Sequence, residues 1–479
     1  MPKETRTRGR AASRTALGFA PPMVFLALGT AYALAVPMFE KPDETRHLEY
    51  VRFLARERRL PCPLAVPPYH EETHWQGAHA PLPHAVVAAV LLILDPLGRA
   101  GIASDRTLGL VRPMPDAMPP APVTWPRLNP RAFLPSDWDV NRFERDERDR
   151  FPLRYPYTVL RGLRLASLAW GLGTVWLAGL TASLALGPGP WAILSALLTA
   201  LHPQHAFMAS AVSNDGPSAF LGALVAWLGL RHVRAGERGW PRARAVGLGA
   251  AVGLGMLARV AVGTTGLFAA ACVWLAAGRS RRALSGLGLL AVGAAVTAGW
   301  WFVRNQVLTG DPLGWHLYLA ANASFVSPRA LWSPYFFAMA ERGFVRLSFA
   351  SFWAGFGWFT IFLPRVVYAL LWGVCLGGAA GVVLAILRRG GAGPRPDRIP
   401  LSLLALHAAA TLALIVWFNL RIPEPQGRYF FPSLAPLMIL LAAGLRELGP
   451  RARWLAWGAL AVLIVANADA FLIFARIYR

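Results

Sequence analysis

Cysteine and acidic residues are both scarce in this chain of 479 residues. Cys62, Cys272 and Cys375 lie far apart, and two of them fall inside apolar runs, so there is neither a disulfide framework nor a metal-thiolate motif. Only 25 Asp and Glu stand against 48 Lys and Arg, a formal net charge of +23. In a soluble chain that excess would suggest nucleic acid. Here most arginines separate apolar runs, so membrane topology explains them better, and nothing else suggests nucleic-acid binding. Internal repeats are lacking as well.

What is abundant is apolar sequence. Hydrophobic residues make up 55% of the chain and Trp occurs 19 times; the mean hydropathy is +0.42. Many runs approach the roughly twenty residues that cross about 30 Å of hydrocarbon. The expectation is an all-α polytopic membrane protein of about eleven transmembrane helices. They fall near 15–36, 158–186, 190–211, 216–231, 245–260, 261–278, 283–303, 365–387, 399–419, 430–445 and 454–475. Residues 1–15 read as a disordered basic cytoplasmic tail, and 16–479 as one membrane domain. The first run resembles a signal peptide but is long for one, and reads as a retained span.

Alternate short connections carry the arginines: Arg231, Arg234, Arg238, Arg242 and Arg244; Arg279, Arg281 and Arg282; Arg388, Arg389, Arg395 and Arg398; Arg446, Arg451 and Arg453. Placing these in the cytoplasm satisfies the positive-inside rule and puts the long region 39–157 outside. Within that region, 43–60 reads as an amphipathic interfacial helix with Leu48, Val51, Leu54 and Ala55 on its apolar face. Residues 85–94 are too few to span and read as a half-embedded helix. Residues 98–157 read as an irregular, lid-like loop.

The same assignment gathers the unusual polar residues at the outer span ends. These include Asp43, Glu44 and His47; His70, His74, His79 and His84; Arg161 and Arg164; Asn214 and Asp215; Arg304 and Asn305; and Gln426, Arg428 and Tyr429. Charged groups near membrane depth are costly unless paired or functional, so this points to a polar cavity opening outward. PDETRH, residues 42–47, is its focus. Helical spacing would put Asp43 and His47 on one face, a carboxylate beside a ring that exchanges protons. Pro followed by two acids is also a good helix start. Asn214–Asp215 equally suits an N-cap, Arg161 and Arg164 suit headgroup anchors, and Arg428 with Tyr429 suits an interface anchor. The four histidines lack a tight metal-ligand pattern.

Seven ordered motifs resemble the GT-C superfamily of polyprenyl-phosphate-sugar-dependent glycosyltransferases, of the aminoarabinose-transferase and protein O-mannosyltransferase type. They are PDETRH at 42–47, HAPLPH at 79–84, LRGLRLASLAWGLGTV at 160–175, HPQHAFMASAVSNDGPSA at 202–219, RNQVLTGDPLG from Arg304, SFWAGFGWF from Ser351 and QGRYFFP from Gln426. HAPLPH departs from the family's PPLYY-like segment, with Pro83 and His84 where tyrosines are expected. The resemblance implies an inverting hexosyl or pentosyl transferase in the cytoplasmic (inner) membrane with an extracytoplasmic active site. Its donor would be a polyprenyl-phosphate sugar and its acceptor an envelope lipid, glycan or protein.

Asp43 is the implied general base, with Glu44, His47 and Asp215 in the catalytic group. Fixed cations must meet the departing lipid phosphate, and arginine's fork suits phosphate oxygens. Arg161, Arg164, Arg259, Arg304 and Arg428 are the candidates, with Gln426 and Tyr429 beside them. No metal ligand is assigned, and the resemblance leaves a divalent ion open. Two other functions remain: a transporter or flippase for a lipid-linked sugar, against which the missing repeat and one-sided polar groups speak, and a non-catalytic polyprenyl-lipid-binding protein.

Overall fold

The computed structural model describes residues 3–63, 73–96, 147–236, 242–278, 281–321, 323, 326–337, 343–387 and 398–478. His70, the lid-like stretch 98–146 and several arginines of the short connections (Arg238, Arg279, Arg388, Arg389 and Arg395) lie outside them. The described chain is almost wholly helical. In order it contains α1 (Lys3–Ala35), α2 (Glu44–Glu57), α3 (Leu82–Leu94), α4 (Tyr157–Leu186), α5 (Pro190–Ala200), α6 (Pro203–Ala209), α7 (Asp215–Ala235), α8 (Arg242–Ala258) and α9 (Thr265–Ala276). Then come α10 (Arg281–Ala294), α11 (Trp300–Thr309), α12 (Trp315–Ala321), α13 (Pro334–Phe337), α14 (Phe344–Ala354), α15 (Arg365–Leu387), α16 (Arg398–Asn419), α17 (Leu434–Arg446) and α18 (Ala452–Ile477).

Among the described residues, seven helical segments are long and apolar enough to cross a membrane: Gly18–Ala35, Tyr157–Leu186, Arg281–Thr309, Arg365–Ala385, Arg398–Asn419, Gly427–Arg446 and Ala452–Ile477. Shorter or more polar elements fill the four other expected positions: α5 with α6, α7, α8, and the segment Val260–Ala276. Pro190 and Pro203 stand in the first turns of α5 and α6, where a missing N–H costs nothing. α1 continues back through the basic tail to Lys3, where disorder was expected. Once a span nucleates a helix, Arg- and Ala-rich sequence extends it at little cost.

The long first loop builds a layer across one end of the bundle. α2 and α3 bury Leu48, Val51, Ala55, Val87, Ala88 and Leu91 against Leu160 and Leu163 of α4. A two-residue antiparallel ladder, β1 (Gly355–Phe356) with β2 (Ile361–Phe362), follows α14. Its turn holds Gly357 and Phe359 at positive φ, 57° and 62°.

Two arginines of α4 lock the exit of α1. The last carbonyls of a helix lack intrahelical donors and carry partial negative charge. Arg164 Nη1 donates to the carbonyl of Val36 at 2.6 Å, and its Nη2 to that of Pro37 at 2.9 Å. Arg161 Nη1 donates to Val36 O at 2.8 Å and also reaches Ala33 O. Both guanidiniums are in turn paired with buried acids, Arg161 with Asp149 at 2.7 Å and Arg164 with Glu44 at 2.5 Å.

Close helix contacts rely on missing side chains. Gly222 of α7 lies against the Pro432 carbonyl, and Gly427 against the backbone of Phe352, so a Cβ at either would collide with main chain. Both glycines set the 3₁₀ turn Gly427–Ser433 that opens the Gly427–Arg446 span. Gly222→Ala is expected to lower stability by about 1–3 kcal/mol through overpacking. A thermal melt of the purified protein in detergent checks this; an unchanged Tm would show that the 3₁₀ turn can shift freely.

Candidate functional site

Asp43 stands immediately before α2, not within it. Its φ of 61° is left-handed, and the helix begins at Glu44. Asp43 and His47 therefore do not share a helix face, although His47 N–H does donate to Asp43 O at 3.0 Å. Nor does the Asp43 carboxylate cap the helix. A non-glycine residue with positive φ is strained, Asp less so than most, and persists where its neighbours over-determine it.

The neighbours here are two buried charges. Lys41 Nζ donates to Phe207 O at 3.0 Å, Ser210 O at 2.6 Å and Ser210 Oγ at 2.5 Å. Glu44 accepts from Arg164 at 2.7 and 2.5 Å, from Val212 N–H at 3.3 Å and from Phe39 N–H at 3.1 Å. Burial alone would raise the Glu44 carboxyl, but Arg164, Lys41 and the Val212 N–H outweigh it and hold the group below the usual carboxylate range. Both oxygens of Glu44 are thus committed to the scaffold.

Held this way, the Asp43 carboxylate meets Arg428. Arg428 Nη2 donates to Asp43 Oδ2 at 2.6 Å, Nη1 to Asp215 Oδ2 at 3.3 Å, and Nε to Gln426 Oε1 at 2.7 Å. Asp215 gives its other oxygen to Arg259 Nη1 at 2.6 Å. Four segments meet: the first loop, the first turn of α7, the junction after α8 and the 3₁₀ turn. Arg259 is at that junction because its extended backbone (φ −158°) ends α8 before Val260 starts a new turn. Phe359, from the β1–β2 turn, lies 5.3 Å beneath the Arg428 guanidinium. The Tyr429 ring is 4.6 Å from that of Arg259.

Exposure separates these groups. Asp215 and Arg428 are 1% and 7% exposed in their side chains, whereas Asp43 and Arg259 are 22% and 20% exposed. Among the described residues, Asp43 Oδ1 has no hydrogen-bond partner. The arrangement therefore offers one reachable carboxylate oxygen above a buried, charge-balanced base.

The other expected site residues fall elsewhere. Arg161 and Arg164 are 2% and 0% exposed and hold the end of α1, which leaves them no surface for a ligand. Arg304 donates to Pro61 O at 2.6 Å, lies 5.1 Å from the Trp301 ring, and has no carboxylate partner among the described residues. Trp301 packs with Leu257, two residues before Arg259, so Arg304 is at the same end of the bundle. His47 turns toward His84, Nδ1 to Nε2 at 2.8 Å, and Tyr50 stacks on His84 at 4.1 Å. One residue escaped the sequence reading altogether. Glu424, between Pro423 and Pro425, accepts from Tyr429 Oη–H at 2.6 Å. Burial, with the Asp43 charge, raises its carboxyl against the pull of Tyr429, Arg428 and Arg259. Two prolines bracketing an acid just ahead of QGRYFFP were its only signal.

No protein-family model and no curated protein sequence matches the chain. Its structure, however, is similar to that of ArnT from Cupriavidus metallidurans bound to undecaprenyl phosphate, with a TM-score of 0.50 at 16% identity. The match covers 95% of this chain and 63% of that one, so the chain spans less than two thirds of the ArnT length. The chain shares the overall fold of that protein. An oligosaccharyltransferase from Archaeoglobus fulgidus, tethered to an acceptor peptide, is also similar, at 12% identity and a TM-score of 0.48, over 96% of this chain and 55% of its own.

The described residues at this site do not fit a divalent ion. Among the described residues no three His, Cys, Asp or Glu side chains converge as ligands. Asp215 has spent both oxygens on guanidiniums and Asp43 has spent one. Two arginines already balance two carboxylates, so a dication would have to displace Arg428. Purified protein is expected to bind Mn²⁺ no better than buffer by electron paramagnetic resonance, while Arg428→Met, which frees Asp43 and one oxygen of Asp215, gains a bound-Mn²⁺ signal. Stoichiometric Mn²⁺ on the unaltered protein would contradict the pairing.

The histidine layer gives a pH expectation. Burial holds His47 and His84 well below the ordinary histidine value of 6.5, and lowers His79 to about 4. The unfolded chain takes up protons first as pH falls. Stability is therefore full above pH 6.5 and declines progressively toward pH 4. Thermal melts across that range check the sign, and a Tm that rises on acidification would refute it.

Proposed function

We propose that this protein is a glycosyltransferase that uses a polyprenyl-phosphate sugar as donor and acts at the extracytoplasmic end of a single membrane domain in the cytoplasmic membrane. The observation that carries this reading is the reachable Oδ1 of Asp43 above the Arg428–Asp215–Arg259 pairing. The shared fold, and undecaprenyl phosphate in the ArnT structure, support the donor class. Sidedness is supported by chain direction. α7 leaves Asp215 and ends near Arg234, α8 starts at Arg242 and ends before Arg259, and the Arg428 turn leads through α17 to Arg446. The arginine-rich ends are thus opposite the candidate site, as the positive-inside rule requires of an extracytoplasmic centre.

In the proposed reaction, the acceptor hydroxyl or amine approaches Asp43 Oδ1. Its proton passes to that oxygen as its lone pair bonds to the anomeric carbon. The bond from that carbon to the phosphate oxygen breaks, and the electron pair leaves with the polyprenyl phosphate. Arg304, which has no carboxylate partner among the described residues, and the exposed part of Arg259 meet the phosphate charge. Arg428 holds Asp43 and Asp215 in place and is a positioning residue. Glu44 and His47 support the geometry from behind, and Gln426 and Tyr429 brace Arg428 and Glu424.

Asp43→Asn keeps the shape and one hydrogen bond to Arg428 while removing the base. Sugar transfer in proteoliposomes is expected to fall about 10²–10⁴-fold, with undecaprenyl-phosphate binding retained. Near-normal transfer by the variant would remove Asp43 from the mechanism, and transmembrane movement of a lipid-linked sugar without covalent change would favour a flippase.

A further inference from the structure

Glu424 stands beside the paired acids and arginines but takes no part in their pairing. Its loop is fixed: Glu424 N–H donates to Ile422 O and Gln426 N–H to Glu424 O, both at 2.8 Å, and Ser327 and Arg329 N–H groups hold Arg421 O and Leu420 O at 2.8 Å. Pro423 and Pro425 restrict the backbone on either side. The side chain is half-buried, and the Tyr429 hydroxyl fixes Oε2. Among the described residues Oε1 has no hydrogen-bond partner. This is a preorganised acceptor oxygen that the proposed proton transfer does not use.

Aromatic rings adjoin it. Phe418 meets Tyr429 edge-on at 6.0 Å, Tyr318 lies 5.8 Å from Phe418, and Trp315 stacks on Tyr318 at 5.9 Å. Tyr318, Phe418 and Tyr429 are all half-buried, so their rings are neither sealed in the core nor fully in water. Tyr429 also bridges to the reactive end, since Arg259 lies over its ring at 4.6 Å. A fixed carboxylate oxygen accepts strong hydrogen bonds from hydroxyl groups. Half-exposed rings offer apolar faces to the C–H faces of a sugar. A second carboxylate near Asp43 repels any ligand bearing its own carboxylate.

We propose that Glu424, with Tyr318, Phe418 and Tyr429, forms the subsite for the transferred sugar, and that it selects a neutral pyranose with adjacent hydroxyl groups over a uronic acid. This rests on the polyprenyl-phosphate reading above and adds a specificity determinant to it. Glu424→Gln is the informative variant, because a glutamine carbonyl still accepts from Tyr429 and so keeps any merely structural role.

The test measures the affinity of full-length protein in nanodiscs for undecaprenyl phosphate and for its glucosyl, mannosyl, galactosyl and glucuronosyl esters. At least one neutral ester is expected to bind about 10–100-fold tighter than the bare phosphate. Glu424→Gln should lose most of that increment, change bare-phosphate affinity little, and narrow the gap to the glucuronosyl ester. An increment undiminished in Glu424→Gln, or no increment for any neutral ester while bare undecaprenyl phosphate binds, overturns the subsite and leaves the lipid reading intact. If neither the bare phosphate nor any ester binds, the lipid reading falls and the subsite falls with it.

Discussion

A guanidinium shared by two carboxylates is the constraint on which this molecule turns. Ion pairs are expensive to assemble away from water and costly to leave half-made. Arg428 answers that by using all three of its nitrogens, on Asp43, Asp215 and Gln426. The bond to Asp43 joins residues 385 positions apart, and the bond to Asp215 residues 213 apart. The 3₁₀ turn that carries Arg428 must therefore be set accurately, and two glycines, Gly222 and Gly427, allow the close main-chain approach that sets it.

A second requirement follows for Asp43. Its left-handed backbone gains nothing from helix capping, since its carboxylate makes no cap bond. The strain is borne by Lys41 and Glu44, two charges fully buried on either side and bonded to α6, α4 and the segment before α7. The four-residue stretch from Lys41 to Glu44 thus divides labour among Lys41, Asp43 and Glu44. The outer two residues are anchors, and the one between them faces outward.

Much of this was legible in the sequence. Apolar run length gave the span positions, because the cost of unpaired backbone in lipid leaves few alternatives to helices. Sidedness grouped Asp43, Asp215 and Arg428 at outer span ends, and the structure joins them in one set of ion pairs, with Arg259 added from the break after α8. What sequence could not separate was role. Arg161 and Arg164 have the same residue type and topological depth as Arg428, yet they cap α1. Glu44 neighbours Asp43 and yet is sealed. The phase of His47 relative to Asp43 was misjudged because periodicity assumes that the helix has already begun, and here it starts one residue later. Glu424 carried no periodic signal at all, since it lies on a loop defined by prolines.

The two sets of ion pairs show why that ambiguity is physical and not a shortage of pattern. Arg164–Glu44 and Arg161–Asp149 have side-chain exposures of 3% or less on both partners. Asp43–Arg428 and Asp215–Arg259 each join a buried partner to one about a fifth exposed. In a low-dielectric interior the closed pairs gain by being complete, because any open valence would be a lost hydrogen bond. The open pairs are complete on their inner side only. Their outer valences remain solvated until something with complementary charge replaces the water. A pair of the first kind is closed on every side and a pair of the second kind keeps an open face, and the difference between them lies in packing density around the pair, a property of the assembled bundle that no local sequence window contains.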